Sequence, residues 1–163
     1  PLPEAQVDRF MLKIKVGYPN KDEERKILDR MTISQSQPKV DKVTNPEEIF
    51  AARQMVDQVF VDEKVRNYIV DVVQATRVES GQNPAEVEGM IEYGASPRAS
   101  IFLMQGAKGH AFLQGRNYIT PHDVKTIAPD VLRHRIMLSY EAEAEGKSAE
   151  DIIQVILDSV LVP

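Results

Sequence analysis

Two arginines are the residues best placed to do chemistry. Arg98 lies in GASPRAS, residues 94–100. Ser96 is a natural helix cap there, and Pro97 suits the first helical position, where a missing N–H costs nothing. Arg98 then falls in the first turn, the end at which the helix dipole repels a cation. That repulsion is offset if an anion shares the site. Unpaired N–H groups at a helix start and a planar guanidinium fork both suit phosphate oxygens. The competing reading is a structural ion pair, with Glu92 a nearby acid in sequence. Arg9, in EAQVDRF, is the second candidate. It either reaches a neighbouring subunit or pairs on the surface with Asp8 or Glu4.

Other chemistries find little support. His110, His122 and His134 do not cluster in sequence, and no HxxxH spacing occurs, so no metal site is expected. Ser96 and Ser100 sit in no GxSxG elbow. The acidic run 141–146, EAEAEG, reads as a solvated helix end. No GxxxxGK[ST] loop is present, so these residues alone do not cradle a triphosphate in the usual way.

The 163 residues fit one ordinary domain, or a small domain with a fragment of another. Hydrophobic residues make up 42%, enough for a core, but tryptophan is absent, so aliphatics and alanine must fill it. The formal net charge of −5 argues against general affinity for nucleic acid or an anionic membrane surface. With no cysteine there is no disulfide framework or thiolate metal site. No apolar run reaches membrane-spanning length, and a soluble cytoplasmic protein is expected. Pro1 in place of a starting methionine is read as a piece of a longer protein.

The elements that must position the arginines follow from spacing. Residues 4–9 read as a short helix end. Met11, Lys13 and Lys15 alternate with Leu12, Ile14 and Val16, which predicts a strand ended by Gly17 and Pro19. Asn20 with Glu23 predicts a capped helix, and Asn45, Pro46 and Glu48 predict another to about Val59. Val65, Tyr68, Ile69, Val72, Val73 and Thr76 share one face of a helix from Asp62 to about Glu79. A loop over 80–95 leads into a helix from Pro97 to about Gln114, whose Gly106 and Gly109 predict close helix contact. Thr120, Pro121 and Asp123 open a further helix, and Ser148 with Asp151 caps the last. HRIMLSYEA alternates as a strand and is expected to pair with KVDKVT, residues 39–44.

Taken together, LPEAQVDRF, GYP, GASPRAS and GRNYITPHDV…APDVLRHRI resemble the C-terminal part of MoxR-type AAA+ ATPases, from Leu2 to the chain end. The resemblance implies a mainly α fold: a helical AAA+ lid bundle with a small two-stranded β element, preceded by the last helix end and strand of the α/β core. It divides the chain into the end of the nucleotide-binding core, 1–18, and the lid, 19–163. It implies that Arg9 is an arginine finger acting in trans and Arg98 the sensor 2 arginine at the γ-phosphate. Gly17, Tyr18 and Pro19 match the core-to-lid junction, with Tyr18 and Pro19 also beside the nucleotide. ATP and Mg2+ are the cofactors implied for the full-length protein, with none expected in this fragment, which should be monomeric and inactive alone. The implied partners are neighbouring subunits of a ring, expected to be a hexamer, and a client protein remodelled in chaperone fashion; no nucleic acid is expected. The alternatives are a non-enzymatic helical interaction module and a DNA-binding helix-turn-helix within 97–133, the latter disfavoured by net acidity.

Overall fold

The computed structural model describes residues 3–32 and 40–163. Its helices are α1 (Glu4–Val7), α2 (Lys21–Met31), α3 (Pro46–Asp57), α4 (Glu63–Gln74), α5 (Pro97–Leu113), α6 (Pro121–Leu132), α7 (Tyr140–Ala144) and α8 (Ala149–Ser159). Two short strands, β1 (Ile91–Tyr93) and β2 (Met137–Leu138), pair antiparallel with Ile91 opposite Leu138. None of these helices is long and apolar enough to cross a membrane.

The caps act as their residue types dictate. Asn20 accepts from the Glu23 backbone N–H at 3.0 Å while the Glu23 carboxylate accepts from the Asn20 N–H at 2.9 Å. Ser148 with Asp151 forms the same reciprocal box, and at α6 the Asp123 carboxylate accepts from both the N–H and the hydroxyl of Thr120. Asn45 caps α3 ahead of Pro46.

Aliphatic faces then build the core. Tyr68, Ile69, Val72 and Val73 of α4 pack with Ala99, Leu103 and Ala107 of α5, Val124, Val131 and Leu132 of α6, and Ile152, Ile153 and Ile156 of α8. The small residues Ala99, Ala107 and Ala111 along α5 let its neighbours approach closely. At Gly106 an added Cβ would lie 2.6 Å from Ile127 Cγ2 of α6, so this glycine marks a tight crossing. Gly109 does not, because nothing lies within 4 Å of where its Cβ would be. A parallel bridge between Phe60 and Tyr118 ties the start of α4 to the start of α6. By contrast, α2 and α3 bury no residue, and Ile27, Leu28 and Met31 of α2 are exposed.

Four expectations need correction. The alternating segment 11–16 is not a strand, and 12–20 has no regular structure. An alternating pattern becomes a strand only where a neighbouring strand takes its hydrogen bonds. Here arginine side chains and the Asp130 carbonyl take them instead. Of KVDKVT, Lys39 lies outside the described residues and 40–44 is not a strand. The partner of β2 comes from within the expected 80–95 loop. HRIMLSYEA is extended only at Met137–Leu138, because Ser139 caps α7 by accepting from the Ala142 N–H at 3.2 Å. Helix α4 stops at Gln74, not near Glu79, where Thr76 turns its hydroxyl back onto the Val73 carbonyl at 2.7 Å.

Candidate functional site

The start of α5 is fixed by backbone packing before any charge is considered. A Cβ on Gly94 would lie 2.2 Å from the Thr76 carbonyl oxygen, so only glycine allows this approach. It brings the Ala95 N–H to donate to Thr76 Oγ1 at 2.9 Å, and Arg77 Nε to donate to the Ala95 carbonyl at 2.8 Å. Ser96 follows as cap, accepting from the Arg98 N–H at 3.3 Å, with Pro97 behind it. The Arg98 side chain thus leaves the first turn of a helix whose origin is tied down.

Its partner is a carboxylate from far away in sequence. Arg98 Nη1 donates to Asp8 Oδ2 at 2.8 Å, and its side chain remains 46% exposed. The structure pairs it with Asp8, in the turn after α1, and not with Glu92. The Ser96 hydroxyl donates to the same carboxylate at 3.0 Å, and Arg135 Nε donates to Oδ1 at 3.1 Å. Burial pushes the Asp8 carboxyl up, but the hydrogen bonds from Arg98, Ser96 and Arg135 outweigh it and hold it below its ordinary range.

Arg135 is the buried member of the group, only 6% exposed. Its guanidinium donates to the carbonyls of Asp8 at 2.7 Å, Phe10 at 2.5 Å and Met11 at 3.3 Å, and to that of Val131. The Phe102 ring centroid lies 4.9 Å from its Cζ, a cation–π distance. Desolvation lowers the Arg135 pKa, and the Asp8 charge opposes that shift.

Arg9 follows Asp8 directly, is exposed, and forms no ion pair with Asp8 or Glu4. Tyr18 is fully open to solvent and Pro19 is exposed, in the irregular stretch before α2, and neither shares a hydrogen bond with the Asp8 cluster. The structure therefore gathers Asp8, Ser96, Arg98 and Arg135, with Arg9 adjacent, and leaves Tyr18 and Pro19 apart. Asp8 and Arg135 are the members that local patterning passes over, because both act across more than eighty residues of chain. The signal available was indirect: DRF and LRHRI are two of the segments that carry the family resemblance.

A second polar group lies between α5 and α6. Asp123, fully buried, accepts from Arg116 through both oxygens at 2.8 and 2.5 Å, and from the Thr120 N–H and hydroxyl at 2.7 Å each. His110 Nδ1 lies 2.6 Å from Asp123 Oδ1. The fold thus brings the His110 ring to a carboxylate across the α5–α6 connection. Among the described residues no group of three or more His, Cys, Asp or Glu side chains could hold a metal ion.

Fold and comparisons agree on the class. Residues 84–156 match the AAA lid domain family. The whole chain is 40% identical to 43% of the length of chaperone MoxR1 of Mycobacterium tuberculosis, and 39% identical to 48% of YeaC, an uncharacterised protein of Bacillus subtilis. A crystal structure of a protein assigned provisionally as an ATPase, from Cytophaga hutchinsonii, superposes on the whole chain and on 49% of its own with TM-score 0.93 at 40% identity. The molecule is thus a helical lid of the AAA+ class. Within that class the chain matches the C-terminal portion of MoxR-type AAA+ ATPases, and it spans under half the length of these relatives.

Proposed function

We propose that this chain supplies the lid of an ATP-hydrolysing ring machine, with Arg98 as the sensor 2 arginine and Arg9 as the finger offered to the adjacent subunit. One observation carries the reading. Arg98 stands at a helix start with one guanidinium nitrogen held by Asp8 and the side chain still 46% exposed. A cation locked inside the bundle by an internal acid could not serve an incoming phosphate; this one can.

The donor set fits part of a nucleotide site. Arg98 would hold a terminal phosphate oxygen through its open nitrogens, and Tyr18 and Pro19 would border the nucleotide at the core-to-lid junction. Bound ATP with Mg2+ supplies a transferable phosphoryl group on which negative charge builds during hydrolysis. The arginines' contribution is positioned positive charge, which in related phosphoryl-transfer enzymes is worth about 10³–10⁵ in rate when supplied as a finger. Because Arg98 is on the lid, its contact would also set the lid against the core. Release of that contact would let the lid move about Gly17–Pro19 and pass motion to a client protein, a cytoplasmic remodelling activity consistent with the name of the M. tuberculosis relative.

The test is ATP turnover by the full-length protein with Arg98→Ala. A fall of at least about tenfold is expected from the loss of a transition-state cation. Unchanged turnover would favour a helical interaction module with no part in hydrolysis.

A further inference from the structure

We propose that Asp8 is a positioning residue for Arg98, aiming its guanidinium at the phosphate and tying that aim to the turn that carries Arg9. The inference rests on the reading of Arg98 as the phosphate-contacting arginine.

Asp8 is itself held rigidly. Ser96 donates to it at 3.0 Å and Arg135 Nε at 3.1 Å. Arg135 is buried and fixed by the carbonyls of Asp8, Phe10 and Met11. Against this fixed carboxylate, Arg98 donates only through Nη1, at 2.8 Å. Its Nε and Nη2 have no hydrogen-bond partner among the described residues. Arginine–carboxylate pairs frequently close the fork with two parallel bonds, and this one does not. The single-armed contact instead restrains a long flexible side chain and leaves the remaining donors open.

Charge supports the same role. One carboxylate among two guanidiniums leaves the cluster net positive, so Asp8 can orient Arg98 without cancelling attraction for an anion. The chain connection adds a consequence. Arg9 is the next residue, so displacement of this turn when Arg9 engages a neighbour would shift Asp8, and with it the direction in which Arg98 points.

The experiment is a double-mutant cycle on steady-state ATP turnover by the full-length protein: wild type, Asp8→Asn, Arg98→Ala and the double variant, with thermal melting of each. Asp8→Asn is expected to lower kcat by about 10- to 100-fold, the scale of a misplacement near 1 Å, with KM changing much less. Combined with Arg98→Ala it should cost nothing further. Asp8→Glu keeps a charge for Arg135 while moving the carboxylate by one methylene. It should melt near the wild-type temperature yet still lose turnover, and it replaces Asp8→Asn if that variant does not fold. Full turnover in the folded Asp8 variant, or a double variant that falls by the product of the single losses, would overturn the positioning role. If Arg98→Ala alone retains turnover, the sensor reading has failed, and this role fails with it.

Discussion

At the residue scale, the buried Asp123 carboxylate illustrates how an unremarkable cap residue becomes structural. It accepts from the Thr120 N–H and hydroxyl at the start of α6, while Arg116 and His110 reach it from the α5 side. Burial alone would raise its pKa, but hydrogen bonds from Arg116, Thr120 and His110 prevail and hold the carboxyl far below its ordinary range. Breaking a buried pair by deleting one partner costs about 3–5 kcal/mol. Arg116 keeps access to water, so Asp123→Ala should sit near the lower end, about 3 kcal/mol in denaturant unfolding. The pH dependence has a definite sign. With the folded pKa depressed, the unfolded chain takes up the proton first as pH falls. The contribution is complete above the unfolded value of about 4 and is lost as pH drops from there toward the folded pKa. Stability of the wild type should therefore decline more steeply below about pH 4 than that of Asp123→Asn. Parallel slopes would mean that another carboxylate, Asp8 among them, dominates acid unfolding.

At the scale of elements, two glycines of α5 make opposite predictions. Gly109 faces open space, so Gly109→Ala should stabilise by about 0.5–1 kcal/mol through helix propensity. At Gly106 the new methyl meets Ile127 Cγ2 at 2.6 Å, on a β-branched side chain with little rotamer freedom. Overpacking of this kind costs about 1–3 kcal/mol and should outweigh the propensity gain, so Gly106→Ala destabilises. Melting temperatures of the two variants should move in opposite directions, and a rise for both would show that the α5–α6 crossing has slack. The sequence places both glycines inside a helix but does not say which side of it the neighbour occupies. The same limit governs the rest of the fold. Caps such as Asn20–Glu23 and Ser148–Asp151 are local and are read correctly, as is the apolar face of α4. Residues 11–16 and HRIMLSYEA carry a period that suits a strand, but a strand also needs a partner, and partners are chosen by tertiary packing. The place of Arg98 in the first turn of α5 is legible in GASPRAS. Asp8 and Arg135 were not, because what makes them matter is a contact spanning α1 and the end of α6.

At the scale of the molecule, the segment 8–15 is strapped along the helical bundle, and its bonds are of unequal worth. Lys15 pairs with Glu150 at 3.0 Å, but its side chain is 77% exposed, and such surface pairs contribute about 0–1 kcal/mol. Arg133 reaches the Lys13 carbonyl from beside Asp130 and Glu150. Arg135 alone is buried, and it serves three carbonyls of the segment together with the Asp8 carboxylate. Hydrogen bonds from a charged donor are worth about 1.5–3 kcal/mol each, so this one side chain should dominate the attachment. Arg135→Met keeps an unbranched apolar stem but removes every one of those donors. The Lys13 amide, which donates to the Asp130 carbonyl at 2.9 Å, then becomes the reporter. Its hydrogen-exchange protection should collapse in Arg135→Met while that of Leu103 in the core persists, and Lys15→Ala should leave both nearly unchanged. Retained protection at Lys13 in Arg135→Met would transfer the role to Arg133, and the strap would then depend on the surface of α6 and not on the buried guanidinium behind it.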